Sequence, residues 1–201
     1  MIRLAWEREL PGVVREIVRI NEKIREEFGS GAYGWAPREA ADLLAKSRLD
    51  RQVALSRCLR MWLRNPRPED LEGRLILAWV NLGCLVEGSM KFFLSVYMNT
   101  YSKNPVQRRQ KGKMKGLDPD ELELGELREF FAREKVWMDA DHRKWDDWIL
   151  YVQQHRNAIH AYRNRDIGTF QEFHRAVKCY LELLDELESR VPFPDMPGSP
   201  D

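Results

Sequence analysis

The sequence predicts an all-α fold, a bundle of about five to seven helices. Three observations carry that reading. Apolar residues recur every three or four positions through most long stretches. Glycine and proline clusters separate those stretches. No apolar–polar alternation and no hairpin signal marks a strand. At 201 residues the chain reads as one domain overall, able to bury about 70% of the surface its unfolded form exposes.

Each element follows from local chemistry. Val13, Ile17, Ile20, Ile24 and Phe28 form the stripe of a first helix, ended by Gly29-Ser30-Gly31. Tyr33 and Trp35 follow in a loop and are expected to tuck against the bundle. Pro37 suits the first position of a helix, where its missing N–H has no partner to lose. The pattern from Arg38 to Leu63 is helical with a break near Leu49-Asp50, and Asn65-Pro66-Arg67-Pro68 stops it. A long helix is expected from about Glu69 to about Asn99. Its inner stripe reads Ile76, Val80, Gly83, Met90, Leu94 and Tyr97, with Glu87 in the middle. Gly83 and Gly88 permit another backbone to approach, from this chain or a second copy. Asp118-Pro119-Asp120-Glu121 has the cap, early proline and acid of a helix start, for a helix with Leu122, Phe130 and Phe131 on its inner face. The next helix runs from Trp145 to near Tyr162, with Trp145, Trp148, Ile149, Val152 and Ile159 in one stripe. Thr169 and Glu172 form a capping box for the last helix. Its stripe is Phe170, Phe173, Val177, Tyr180, Leu181, Leu184 and Leu187, with His174 at the core edge. Residues 195–201 are an irregular tail.

Composition narrows the function. The 33 basic and 32 acidic side chains leave a net charge of +1, so a nucleic-acid partner must meet a local patch rather than a global field. Cys58, Cys84 and Cys179 are odd in number and widely spaced, the pattern of buried free thiols in a reducing compartment. The charged start lacks the form of a secretory signal, and the apolar run from Leu75 to Val86 is short for a bilayer. A cytoplasmic protein with no membrane partner is the expectation.

No phosphate-binding glycine loop, nucleophile elbow or zinc-binding His pair is present. The four histidines, His142, His155, His160 and His174, lack partners at metal-ligand spacing, and no metal or cofactor is expected. The acids Asp139, Asp141, Asp146 and Asp147 cluster where a helix dipole favours them. What stands out is Arg156. It falls on the apolar stripe one turn after Val152, where a guanidinium is costly unless paired. His160 follows about 40° around the helix, and Asn157 sits beside them. Glu87 is the opposite charge in the other apolar stripe, and the economical arrangement sets it against Arg156 with His160 nearby. Arginine can clamp phosphate oxygens and histidine can move a proton near neutral pH. Lys103 to Lys115 adds six basic residues and no acid. Within it Arg108, Arg109, Lys111, Lys113 and Lys115 are candidates for phosphate contact, as are Arg163 and Arg165 beyond the helix. A solvated loop, balanced by the acidic run from Asp118 to Glu126, is the alternative.

Arg156 to Tyr162, RNAIHAY, resembles the signature of HEPN domains (higher eukaryotes and prokaryotes nucleotide-binding), and Asn81 to Leu94, NLGCLVEGSMKFFL, resembles the family's upstream helix. The resemblance covers residues 69–194, with residues 1–68 as N-terminal helices packing on that bundle. It implies a helical bundle that dimerises and, in many members, a metal-independent endoribonuclease or toxin paired with an antitoxin. It also implies that Arg156 and His160 are the catalytic pair, with Asn157 as the polar residue after the arginine and Glu87 contacting Arg156. An RNA 2′-OH would then attack the adjacent phosphate. Three residues separate Arg156 from His160, fewer than the family usually places there. Other members act as non-catalytic dimerisation or partner-binding modules.

Overall fold

In the computed structural model, residues 9–29, 36–64, 67–137, 142–160, 162 and 164–192 are described. Among them lie eight α-helical segments, numbered here α1 (Leu10–Phe28), α2 (Arg38–Lys46), α3 (Leu49–Cys58), α4 (Leu71–Val96), the single turn α5 (Met98–Tyr101), α6 (Leu124–Arg133), α7 (His142–Arg156) and α8 (Phe170–Glu188). Two short strands, β1 (Gln107–Gln110) and β2 (Lys113–Gly116), form the sheet among these residues. The fold class is all-α.

Helix α4 organises the bundle because it is apolar on most of its circumference. Leu75, Trp79, Leu82, Val86, Met90 and Phe93 are all buried, and α2, α3, α6, α7 and α8 pack around it. With its lead-in, Pro68–Val96 is long and apolar enough to cross a membrane, longer than the run from Leu75 to Val86 suggests. Yet 61% of its most apolar window is buried inside the bundle, the state of a core helix. On the far side α1 packs against α3 and α8, burying Val13, Ile17, Ile20, Ile24 and Phe28 as their spacing requires. The break between α2 and α3 falls at Ser47 and Arg48. Thr169 caps α8 as expected: its hydroxyl accepts from the Glu172 N–H at 3.2 Å, and Glu172 accepts the Thr169 N–H at 2.8 Å.

Four local expectations are corrected. The inner stripe of α4 is rotated from the one periodicity suggested, so Ile76, Val80 and Glu87 lie on its half-exposed strip. A helix apolar on most sides gives periodicity little to register on. The capping box at Asp118 opens only a 3₁₀ turn, Pro119–Glu121. The α-helix proper starts at Leu124 under a second box between Glu123 and Glu126, so Leu122 is buried ahead of it. Helix α7 ends at Arg156 and continues as a 3₁₀ turn, Asn157–Ile159, which leaves Ile159 and Tyr162 exposed. Finally, the basic run is a hairpin rather than an irregular loop. Lys111 and Gly112 both have positive φ, 49° and 83°, the two-residue turn that matches strand twist. Both faces of the hairpin are polar, so no alternation announced it. Tyr33, Trp35, Asp139, Asp141, Arg163 and the tail lie outside the described residues.

Candidate functional site

The site is built where α7 crosses α4. Gly83 makes the crossing close: a Cβ there would lie 2.5 Å from Arg156 Cδ and 3.0 Å from its Cβ and Cγ. The arginine stem therefore lies flat across a helix surface stripped of side chain. One turn further along α4 the guanidinium meets Glu87, with Nη1 donating to Oε2 at 2.5 Å. The other carboxylate oxygen faces Lys91 Nζ at 2.8 Å, a Glu–Lys pair at the spacing that helices favour. Burial pushes the Glu87 carboxyl up, but hydrogen bonds from Lys91 and Arg156 outweigh it, and the group ends below its ordinary value. Burial raises the neighbouring Cys84 thiol despite the opposing charge of Arg156, so Cys84 is a poor nucleophile.

Arg156 keeps 29% of its side chain exposed and Glu87 19%. Beyond Nη1, the guanidinium has no hydrogen-bond partner among the described residues, so donors remain for an incoming oxyanion. His160 is exposed, at the end of the 3₁₀ turn, and its N–H donates to the Asn157 carbonyl at 3.2 Å. An α-helix would have set His160 about 40° from Arg156; the 3₁₀ turn Asn157–Ile159 winds more per residue and carries His160 further around. Arg156 and Glu87 are brought into contact, and His160 is exposed, with no hydrogen bond or ion pair to either among the described residues. Asn157 is half-buried within the turn.

His155 anchors the end of α7. It is buried against Trp79 and Tyr151, with ring centroids 4.5 and 4.1 Å away. Its Nδ1 donates to the Tyr151 carbonyl at 2.8 Å; a carbonyl only accepts, which places the proton on Nδ1. Trp79 in turn donates to the Ile167 carbonyl at 2.8 Å. Sequence reading treated His155 only as an unpartnered metal ligand; its signal was the aromatic residue one turn before it. Among the described residues, no three His, Cys, Asp or Glu side chains gather into a metal-binding group. Cys58, Cys84 and Cys179 are free and half-buried.

The chain matches no protein-family model, no characterised protein and no solved structure.

The basic candidates divide by what already holds them. Arg108 and Lys115 face one another across the hairpin, an arrangement of like charges that is unfavourable alone. Acids compensate it: Arg108 forks onto Glu126 at 3.0 and 2.5 Å, and Lys115 lies 3.5 Å from Glu121. Arg109, Lys111 and Lys113 are free of acidic partners among the described residues, and Arg109 pairs across the strands with the exposed Met114. Arg165 is half-buried, with Nε enclosed and without a hydrogen-bond partner among the described residues. Burial pushes the Glu126 carboxyl up, but the hydrogen bonds from Arg108 and the Glu123 N–H, with a smaller pull from Lys91, bring it below its ordinary value; Lys91, which pairs with Glu87, also donates to the Asp120 carbonyl at 3.2 Å. Gly83 and Gly88 serve side chains rather than another backbone. At Gly88 the space is filled by the Gln52 amide, which donates to the Leu85 carbonyl at 2.8 Å.

Proposed function

We propose that this chain is a metal-independent endoribonuclease of HEPN type, a toxin or defence effector in the cytoplasm whose site is completed by a second copy of itself. The observation that carries the reading is the seat of Arg156: its stem is fixed by Gly83 and its guanidinium is held by Glu87 at a half-exposed edge. An arginine positioned this way clamps a phosphate without reorganising. His160 supplies the proton-transfer group, Asn157 a polar neighbour, and the free face of the hairpin the backbone contacts. An RNA 2′-oxygen attacks the adjacent phosphorus as its proton leaves to a base. The 5′-oxygen departs with a proton from an acid, leaving a 2′,3′-cyclic phosphate and a 5′-hydroxyl. The 3₁₀ turn carries His160 away from the Arg156 face, so the two groups act on one phosphate when a second copy brings its own pair alongside. A protein partner of antitoxin kind would cover the exposed Ile159 and Tyr162.

One observation favours a second reading. Both oxygens of Glu87 are engaged, by Arg156 and Lys91, as in a closed ion-pair network that fixes helix register. The chain is then a non-catalytic dimerisation or partner-binding module. Incubating RNA in chelator with wild type, Arg156→Ala and His160→Ala separates the two. Cleavage with cyclic-phosphate ends, lost in both variants, supports the enzyme. Cleavage that persists in both moves the site elsewhere, and none by dimeric wild type selects the module.

A further inference from the structure

Over much of the molecule an arginine is matched by a nearby acid, as Arg19 is by Glu16 at 2.7 Å, Arg25 by Glu26 at 3.0 Å and Arg128 by Asp146 at 3.2 Å. One surface departs from this pattern. Arg51, Arg60, Arg64 and Arg67 are exposed and Arg74 is half-buried. Their neighbours Arg48 and Arg57 find Asp50 and Glu22, but none of these five has an acidic partner among the described residues. They lie on α3, on and just beyond the 3₁₀ turn Leu59–Trp62, and on the first turns of α4. Val53, Ser56, Leu59 and Trp62 are buried beneath, so the run from Arg51 to Arg64 presents an outward surface about 20 Å long.

Apolar side chains share that surface. Met61, Leu71 and Leu77 are 58%, 46% and 51% exposed. Arg74 joins them: its Nη2 donates to the Met61 carbonyl at 2.7 Å and its guanidinium lies 6.0 Å from the Trp62 ring. Leu71 and Leu77 stand three residues to either side of it on α4. Glu69, Asp70 and Glu72 edge the surface, exposed and without cationic partners among the described residues. These features choose among partners. Uncompensated guanidinium groups call for anions, and their fork fits carboxylates. Exposed methionine and leucine call for apolar surface, which a phosphate backbone lacks. The three acids repel a polyanion or an anionic bilayer, yet sit well at the polar rim of a protein contact. From Ser47 to Met90 the chain has no lysine, and protein interfaces favour arginine and methionine over lysine.

We propose that this surface docks an acidic amphipathic helix of a partner protein, about four turns long by the reach from Arg51 to Arg64. Its carboxylates meet the arginines, and its apolar edge covers Met61, Leu71 and Leu77. The inference does not depend on the Arg156 site. Fluorescence anisotropy with labelled peptides of about 15 residues tests it: an amphipathic helix of leucine and glutamate, a scramble of the same composition, and a version with lysine for glutamate. The first is expected to bind saturably, the scramble about tenfold more weakly, and the lysine version not at all. Arg60→Glu/Arg64→Glu and, separately, Met61→Asp should each weaken the first peptide about tenfold. The helical circular dichroism should not change, because all three side chains are exposed. Lys111→Glu/Lys113→Glu, on the hairpin, should leave the affinity level. No saturable binding, equal binding of the scramble, undiminished affinity in either variant of this surface, or an equal loss from the hairpin substitutions overturns the proposal. So does displacement of the peptide by polyuridylate or by phosphatidylserine vesicles whose own binding is lost in Arg60→Glu/Arg64→Glu, which assigns the surface to phosphates.

Discussion

Two guanidinium–carboxylate contacts in this molecule have the same length and different mountings. Arg156 meets Glu87 at 2.5 Å, and Arg108 meets Glu126 at 2.5 Å. Their exposures are not far apart, 29% and 19% against 39% and 25%. What differs is the support. Arg156 leaves the end of a helix whose other side is core, crosses a glycine, and finds an acid fixed on the central helix. Arg108 stands on a two-stranded hairpin whose strands pair only with one another. In the first case both partners are ordered before they meet, so the contact bears little entropy of its own. In the second the contact itself helps to order the hairpin. Distance alone does not rank the two.

The sharpest way to break that comparison is to remove Glu87. Glu87→Ala leaves a guanidinium half-buried on apolar surface, and about 2 kcal/mol of stability should be lost, between the range for exposed pairs and that for fully buried ones. Urea denaturation measures it. In Glu87→Ala/Arg156→Leu most of that loss should return, because the uncompensated charge has gone. If Glu87→Ala costs no more than an exposed pair, the mounting has no energetic meaning.

Gly83 gives a smaller effect with a sign that can be turned. Alanine in a helix interior outdoes glycine by about 1 kcal/mol. Here, however, the new methyl would sit 2.5 Å from Arg156 Cδ and lift the stem off Glu87. Gly83→Ala is expected to destabilise the protein by about 1 kcal/mol in wild type and to stabilise it in an Arg156→Ala background, where the obstruction is absent. The coupling in that cycle reports the crossing directly. Stabilisation in both backgrounds would mean that Arg156 does not need the groove.

Acid sharpens the contrast further. The Glu87 carboxyl is held below its ordinary 4.5 by Lys91 and Arg156 against the opposing push of burial. The unfolded chain therefore binds the proton more readily than the folded one. The stabilisation is in place at neutral pH and fades as pH falls through about 4.5 toward the lower native value. Unfolding midpoints taken between about pH 3 and 7 should drop less steeply for Glu87→Gln than for wild type. Parallel curves would show that the pair contributes nothing to acid stability.

The sequence made one of these two regions legible and hid the other. A charge in an apolar stripe contradicts its surroundings, so Arg156 and Glu87 could be matched across 69 residues of chain by opposite sign alone. The same logic failed for His160. The change from α-helix to 3₁₀ turn after Arg156 depends on tertiary packing, not on local composition. It also misjudged α4, where apolar residues on most faces left no stripe to orient Glu87. The hairpin offered nothing to contradict. Lys111-Gly112 is a serviceable turn, but polar residues on both faces leave the strand period silent.

The smallest expected effect lies at Arg108. Removing its guanidinium leaves the half-buried Glu126 carboxylate with the backbone N–H of Glu123 at 2.9 Å. Arg108→Ala should therefore shift stability by less than about 1 kcal/mol, and about 1 M salt should erase much of even that, because exposed pairs are screened. Glu87→Ala should keep most of its effect at the same ionic strength, its pair being half-buried between packed helices. Urea curves of both variants at low and high salt are the measurement. A loss at Arg108 as large and as salt-resistant as that at Glu87 would show that the hairpin is docked as firmly as the core helices. The basic run from Lys103 to Lys115 would then be a fixed part of the body, and its outward residues Arg109, Lys111 and Lys113 would form a rigid surface rather than an arm.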